Sequence, residues 1–144
     1  MKARVLVVDD EKDFVNILSK RIKRRNIDVT KAFSGAEAIQ ALRAQEFDVV
    51  VLDLKMEEMD GIETLKVLKI MDPQLAVIML TGHGSVEAAE QGIRMGAYDY
   101  LTKPFAFSSR ADRSARKIAS LAWRRPRVQI PTSPLFSFFL LKNN

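Results

Sequence analysis

The chain has 144 residues, and among them no cysteine, one histidine and one tryptophan. Without cysteine it has no disulfide, no thiolate nucleophile and no cysteine metal site. Its single histidine, His83, excludes a multi-histidine metal centre. No apolar run approaches the roughly 20 residues that cross a bilayer. The first residues enter an apolar segment directly, with no charged region, long apolar stretch and small-residue cleavage site. No signal peptide is expected, and the expected location is the cytoplasm, away from membranes. No internal repeat is visible. No glycine-rich phosphate loop follows the first apolar segment, and Asp9-Asp10-Glu11 stands there instead, repelling phosphates unless a metal intervenes.

What is present is an ordinary globular composition, 47% hydrophobic, in a chain long enough for one domain with a real core. The net charge of +5 is unevenly placed. Residues 1–107 hold 15 Lys and Arg against 17 Asp and Glu, whereas residues 108–144 hold 8 against a single Asp. The basic character therefore belongs to the last quarter and says nothing about the rest.

Strand and helix signals alternate along the first 105 residues. Ala3 to Val8 is an apolar strand running into the acidic triplet. Asp13 to about Arg25 has helical period through Phe14, Ile17, Leu18 and Ile22, and its cationic last turn suits a helix C-terminus better than a nucleic-acid patch. Ile27 to Ala32 is a less apolar strand, expected at a sheet edge. Ser34 caps a helix running to Ala44. Val49 to Asp53 is β-branched and unalternated, as in a strand buried on both faces, and it ends in a carboxylate. Gly61 to about Met71 is a helix stopped by Asp72-Pro73. Ala76 to Leu80 is a buried strand followed by Thr81, Ser85 to Met95 a helix closed by Gly96, and Ala97 to Leu101 a fifth strand followed by Thr102-Lys103-Pro104. Five alternations predict an α/β fold with a doubly wound parallel sheet and helices on both faces.

Parallel strands all point one way, so groups at their carboxyl ends share one edge, where such folds hold ligands. Asp9, Asp10, Asp53, Thr81 and Lys103 all fall there. Three carboxylates together disfavour full ionisation. A hard divalent cation relieves that, and all-oxygen ligation suits Mg²⁺. Asp53 is then a carboxylate nucleophile able to form an acyl phosphate, with Lys103 neutralising phosphoryl charge and the Thr81 hydroxyl donating to a phosphoryl oxygen.

These residues resemble the receiver domain of bacterial two-component response regulators. The resemblance rests on Asp9-Asp10, on Asp53 within Leu52-Asp53-Leu54-Lys55-Met56, on Met59-Asp60-Gly61, Thr81-Gly82, Gly96-Ala97-Tyr98-Asp99-Tyr100 and Lys103-Pro104-Phe105. It spans about residues 3–107. Around TGHGSVE and GAYDYLTKPF it is most similar to receivers of the NtrC-like, σ54-activator kind. It implies a flavodoxin-like five-stranded sheet of order 2-1-3-4-5. It also implies that Asp53 is phosphorylated by a sensor histidine kinase. Asp10, Asp53 and the main-chain carbonyl of Lys55 then ligate Mg²⁺, and Asp9 holds a coordinated water. Thr81 and Tyr100 become the switch pair, and Lys103-Pro104 a cis bond. His83 falls where the family tunes phosphoryl lifetime, and a solvent-exposed loop histidine is the equal alternative. Dimers of the family use the fourth helix, fifth strand and fifth helix. The domain is no enzyme in the usual sense, since it catalyses only its own phosphorylation and dephosphorylation.

Two departures stand out. After Met56 comes Glu57-Glu58 where the family has proline, adding negative charge beside the metal site. After Phe105 the usual amphipathic helix gives way to an alanine- and arginine-rich stretch. Ala111, Ala115, Ile118 and Ala122 keep helical spacing there, and a replacement helix is expected over 109–124. A receiver domain over 1–124 is therefore expected, followed by a poorly ordered, non-family tail over 125–144. The ending from about residue 106 reads as a truncation, frameshift or insertion, which would leave a receiver remnant without output. A Mg²⁺-dependent aspartyl-nucleophile phosphatase is the alternative chemistry, but it needs an acid two residues after the nucleophile, where Lys55 stands. A nucleotide-binding flavodoxin-like domain lacks its loop. Nucleic-acid binding by the basic tail would be non-specific and salt-dependent.

Overall fold

The computed structural model describes residues 2–82, 86–103 and 109–124. Five strands, β1 (Arg4–Val8), β2 (Asp28–Ala32), β3 (Val49–Asp53), β4 (Ala76–Thr81) and β5 (Asp99–Thr102), alternate with five helices. The helices are α1 (Lys12–Lys23), α2 (Gly35–Ala44), α3 (Gly61–Met71), α4 (Val86–Arg94) and α5 (Ser109–Arg124). All four strand pairings are parallel, and the sheet order is β2-β1-β3-β4-β5. The doubly wound, flavodoxin-like order expected from the resemblance is the one observed. The less apolar second strand is indeed at an edge.

Alternation along the strands builds two cores. Val5, Val7, Val49, Val51, Ile78 and Leu80 face α1 and α5, whereas Leu6, Val8, Val50, Leu52, Val77 and Met79 face α2, α3 and α4. All five residues of β3 are buried, which is why its sequence shows no polar alternation. Asp48 fixes the entry to that strand, because its carboxylate accepts from the Arg4 main-chain N–H at 2.7 Å and its own N–H donates to the Arg4 carbonyl at 2.8 Å.

Helix starts follow local chemistry. The Ser34 hydroxyl caps α2 by accepting from Glu37 N–H, and the Asp60 carboxylate caps α3 by accepting from Glu63 N–H. Gly61 follows at the foot of α3 because a Cβ there would run into the Asp53 carbonyl oxygen and Leu54 Cα. Its N–H donates to the Leu54 carbonyl at 3.1 Å. This close approach ties the loop after Asp53 back onto its own strand. Gly96, at φ +105°, turns the chain out of α4 in a conformation that side chains resist.

The alanine-rich α5 docks as a full member of the fold. Ala115, Ile118, Ala119 and Ala122 are buried against α1 and the sheet, with Leu121 half-buried beside them. Small residues let the helix approach closely, and polar contacts line its borders. Asp112 lies 3.8 Å from Arg21 and 3.7 Å from Arg25, Lys117 lies 2.9 Å from Asp99, and the Trp123 indole N–H donates to the Arg25 carbonyl at 3.3 Å. The basic end of α1 is thus partly spent on α5, a role that its sequence did not announce. These exposed pairs contribute only about 0–1 kcal/mol each, so the apolar seam carries the docking. The Ala111 side chain, the Lys103-Pro104 bond and the tail over 125–144 lie outside the described residues.

Replacing Ile118 by alanine removes a fully buried side chain from this seam and is expected to lower the unfolding free energy by about 2–4 kcal/mol. Urea unfolding followed by circular dichroism and by Trp123 emission checks it. A loss below about 1 kcal/mol would mean that α5 is not part of the cooperative core.

Candidate functional site

The carboxyl edge of the sheet gathers what the sequence placed there. Asp9 follows β1 directly, Asp53 ends β3, Thr81 ends β4 and Lys103 follows β5. The Lys103 N–H donates to the Thr81 carbonyl, extending the β4–β5 ladder into the site. Asp9 and Asp53 are buried and Asp10 is half-buried. One carboxylate oxygen from each of the three lies within 4.8 Å of the others, the only such group among the described residues.

Lys103 is the cation among them. Its ammonium lies 2.8 Å from Asp9 Oδ2, 3.0 Å from Glu11 Oε1 and 3.8 Å from Asp53 Oδ2, and 4.8 Å above the centre of the Phe14 ring. Asp9 Oδ2 is fully buried and meets the Lys103 ammonium as an ion pair, with no further hydrogen-bond partner among the described residues. The other Asp9 oxygen accepts from the Glu11 main-chain N–H at 3.0 Å. Glu11 and Phe14 are the two contributors that the sequence did not reveal. In sequence one is the last of the acidic triplet after β1 and the other a core position of α1. Only their nearness to the acidic pair at the helix start could have pointed to them.

The electrostatics follow from this burial. Desolvation, followed by the nearby Asp9 charge, pushes the Asp53 carboxyl up to about 7, against the field of Lys103 and the Lys55 main-chain N–H. Asp9 is raised too, chiefly by burial, although Lys103 and the Glu11 N–H oppose it. Burial alone would lower Lys103, but its contacts with Asp9 and Glu11 and the charges of Asp53 and Asp9 raise it. The edge therefore holds more negative charge than its one ammonium balances. An all-oxygen donor set with an under-satisfied buried carboxylate fits a hard divalent cation.

Beside the cluster opens a cleft of about 580 Å³ lined by Asp10, Glu11, Lys55, Met56 and Glu57. Lys55 is exposed at its mouth. The Thr81 hydroxyl is buried and donates to the Leu101 carbonyl at 3.4 Å. Tyr100 is half-buried and packs against the core on the α2–α4 side. His83 lies outside the described residues.

The model of the response regulator receiver domain family matches residues 5–112. The chain belongs to this family. The receiver domain is 41% identical over 105 residues to the transcriptional regulatory protein ZraR of Escherichia coli (strain K12), covering 73% of this chain and 24% of that protein. It is 40% identical over 103 residues to an NtrX-like response regulator of Rickettsia bellii (strain RML369-C), covering 70% of this chain and 22% of that one. The NtrC-like character read from the sequence is borne out by these relatives. The receiver spans about a quarter of their length. With ZraR of Salmonella typhimurium the alignment reaches 97% of this chain at 33% identity, and so runs past Phe105. Among solved structures, the receiver domain of Francisella response regulator 1452 superposes with a TM-score of 0.74 at 35% identity, covering 85% of this chain and 98% of that one. The receiver domain of NtrX from Brucella abortus gives 0.70 at 33%, covering 81% and 98%.

A carboxyl raised on folding favours the folded state most below its unfolded value near 4 and loses that contribution as pH rises through about 7. Without metal, Asp53→Asn is therefore expected to raise the melting temperature at pH 8 and to change it little at pH 4.5. Millimolar Mg²⁺ at pH 8 should raise the wild type more than the variant. An equal gap between the two proteins at both pH values would contradict this electrostatic account.

Proposed function

We propose that the domain is the phosphoacceptor switch of a two-component system, taking a phosphoryl group onto Asp53 from the phosphohistidine of a sensor kinase. The single observation that carries this reading is the clustering of Asp9, Asp10 and Asp53 around Lys103 at the carboxyl edge of a receiver fold. An Asp53 carboxylate oxygen attacks phosphorus as the P–N bond to the imidazole breaks. The bonding pair leaves on the imidazole nitrogen, and an acyl phosphate remains. The Asp9, Asp10 and Asp53 carboxylates and the Lys55 main-chain carbonyl would hold Mg²⁺, Asp9 through a water. When bound, this ion would supply positive charge against the negative charge of the reaction. Lys103 neutralises part of the charge brought by the phosphoryl group.

Readout begins at Thr81. Its hydroxyl, which reaches the Leu101 carbonyl in the resting domain, turns to a phosphoryl oxygen. The space it leaves is taken by Tyr100, and the α4–β5 face shifts toward a second packing. Val86, Ile93 and Tyr98 expose apolar surface on or beside α4 and β5, which supports pairing of two copies through α4, β5 and α5. The switching unit is residues 1–124, located in the cytoplasm. The domain turns over no external substrate beyond its own phosphorylation and dephosphorylation.

Acetyl phosphate with Mg²⁺ is expected to label the wild type at Asp53, Asp53→Asn to take up no label, and Lys103→Ala to label about 10²-fold more slowly. Intact-mass spectrometry of the folded proteins checks all three. Label retained by Asp53→Asn, or absent from the wild type, would overturn the assignment.

A further inference from the structure

The mouth of the phosphoacceptor site carries more acid than the chemistry needs. The cleft is walled by Asp10, Glu11 and Glu57 against one cation, Lys55. Beside it lies the cluster that Asp10 shares with Asp9, Asp53 and Lys103. Five carboxylates face two ammoniums, so a net negative charge remains even with a divalent cation bound. Asp9, Asp10 and Asp53 are engaged in the cluster, and Glu11 is partly neutralised by Lys103 at 3.0 Å. Glu57 is different. It is exposed on the loop after β3, none of the ion pairs among the described residues includes it, and it lines the cleft without joining the cluster.

Every phosphoryl donor brings the anionic phosphoryl group itself, so discrimination falls on the leaving group. An acyl phosphate departs as a carboxylate and carries negative charge through the mouth. A nitrogen-linked donor departs as a neutral or cationic amine. An acidic rim repels the first more than the second. We infer that Glu57 is a specificity residue, biasing Asp53 against oxygen-linked, anionic donors and toward nitrogen-linked donors with a neutral or cationic leaving group. This deepens the phosphoacceptor reading and rests on it.

The steps balance for both donors. With acetyl phosphate, an Asp53 oxygen–phosphorus bond forms, the P–O bond to the acyl group breaks, and the electron pair leaves on acetate. With phosphoramidate, the P–N bond breaks and the pair leaves on nitrogen, which departs as ammonia when it already carries its proton. No oxidant or further reactant is required. The same side chain has a second, opposite consequence. A carboxylate near a cation site raises affinity for the cation, so removing it favours an anionic donor while weakening Mg²⁺ binding.

The experiment uses the full chain and the series wild type, Glu57→Gln and Glu57→Lys. Initial labelling rates from acetyl phosphate and from phosphoramidate are measured at saturating Mg²⁺ and at low and high salt. Mg²⁺ affinity is measured separately by calorimetry. Each unit of charge removed should raise the acetyl phosphate rate relative to the phosphoramidate rate by roughly two- to fivefold at low salt. The gain should fade as ionic strength rises, and Mg²⁺ affinity should fall through the series. Glu57 lies outside both cores, so the variants should fold as the wild type does. A donor ratio that stays constant through the series overturns this inference and leaves the phosphoacceptor assignment standing. Folded wild type labelled by neither donor overturns both.

Discussion

Two buried carboxylates held against one lysine are the constraint on which this molecule is arranged. Asp9 and Asp53 are taken out of water at the ends of two neighbouring inner strands, and Lys103 comes from the edge strand to meet them. Burial of like charges is unfavourable, and a single ammonium does not cancel it. The fold tolerates the arrangement because each carboxylate sits at the end of a strand whose other residues are locked into the two apolar cores. A loosely held site would relax by rotating its acids toward solvent. The ladder that continues from Thr81 to Lys103, and the glycine that presses α3 against Asp53, leave little room for that.

The cluster is therefore tense at rest and relieved by what binds it. A divalent cation bound there would relieve the excess of negative charge. On the proposed function, a phosphoryl group would redraw the contacts of Lys103 and Thr81, both of which have resting partners to leave. In the structure Glu11 and the Phe14 ring hold the Lys103 ammonium, and the Leu101 carbonyl holds the Thr81 hydroxyl. Under the proposed switch these resting partners would set its starting point, and only a differential interaction with the two states would move it.

Much of this was legible in the sequence, for identifiable reasons. The buried strand from Val49 to Asp53 announced itself by unbroken β-branched residues, and the helix over 109–124 by spacing alone, although its apolar face is mostly alanine. The shared edge of Asp9, Asp10, Asp53 and Lys103 followed from the parallel topology. What escaped was set by side-chain reach across the fold. The pair between Glu11 and Lys103 joins residues 92 apart in sequence. The contacts of Asp112 with Arg21 and Arg25 turn an apparently solvated basic helix end into part of a helix seam. The fifth strand begins at Asp99 rather than Ala97, because pairing with β4 starts opposite Ile78.

The lone tryptophan has a use that its packing role does not exhaust. Trp123 sits on the last turn of α5, against the end of α1 that lies farthest along the helix from the acidic edge. Its emission therefore gauges the α1–α5 seam and is remote from the acidic cluster around Asp53. A fluorescence change on adding a phosphodonor would be a message carried across the whole thickness of the domain, and silence would mark the seam as the part that stays still while the other face moves.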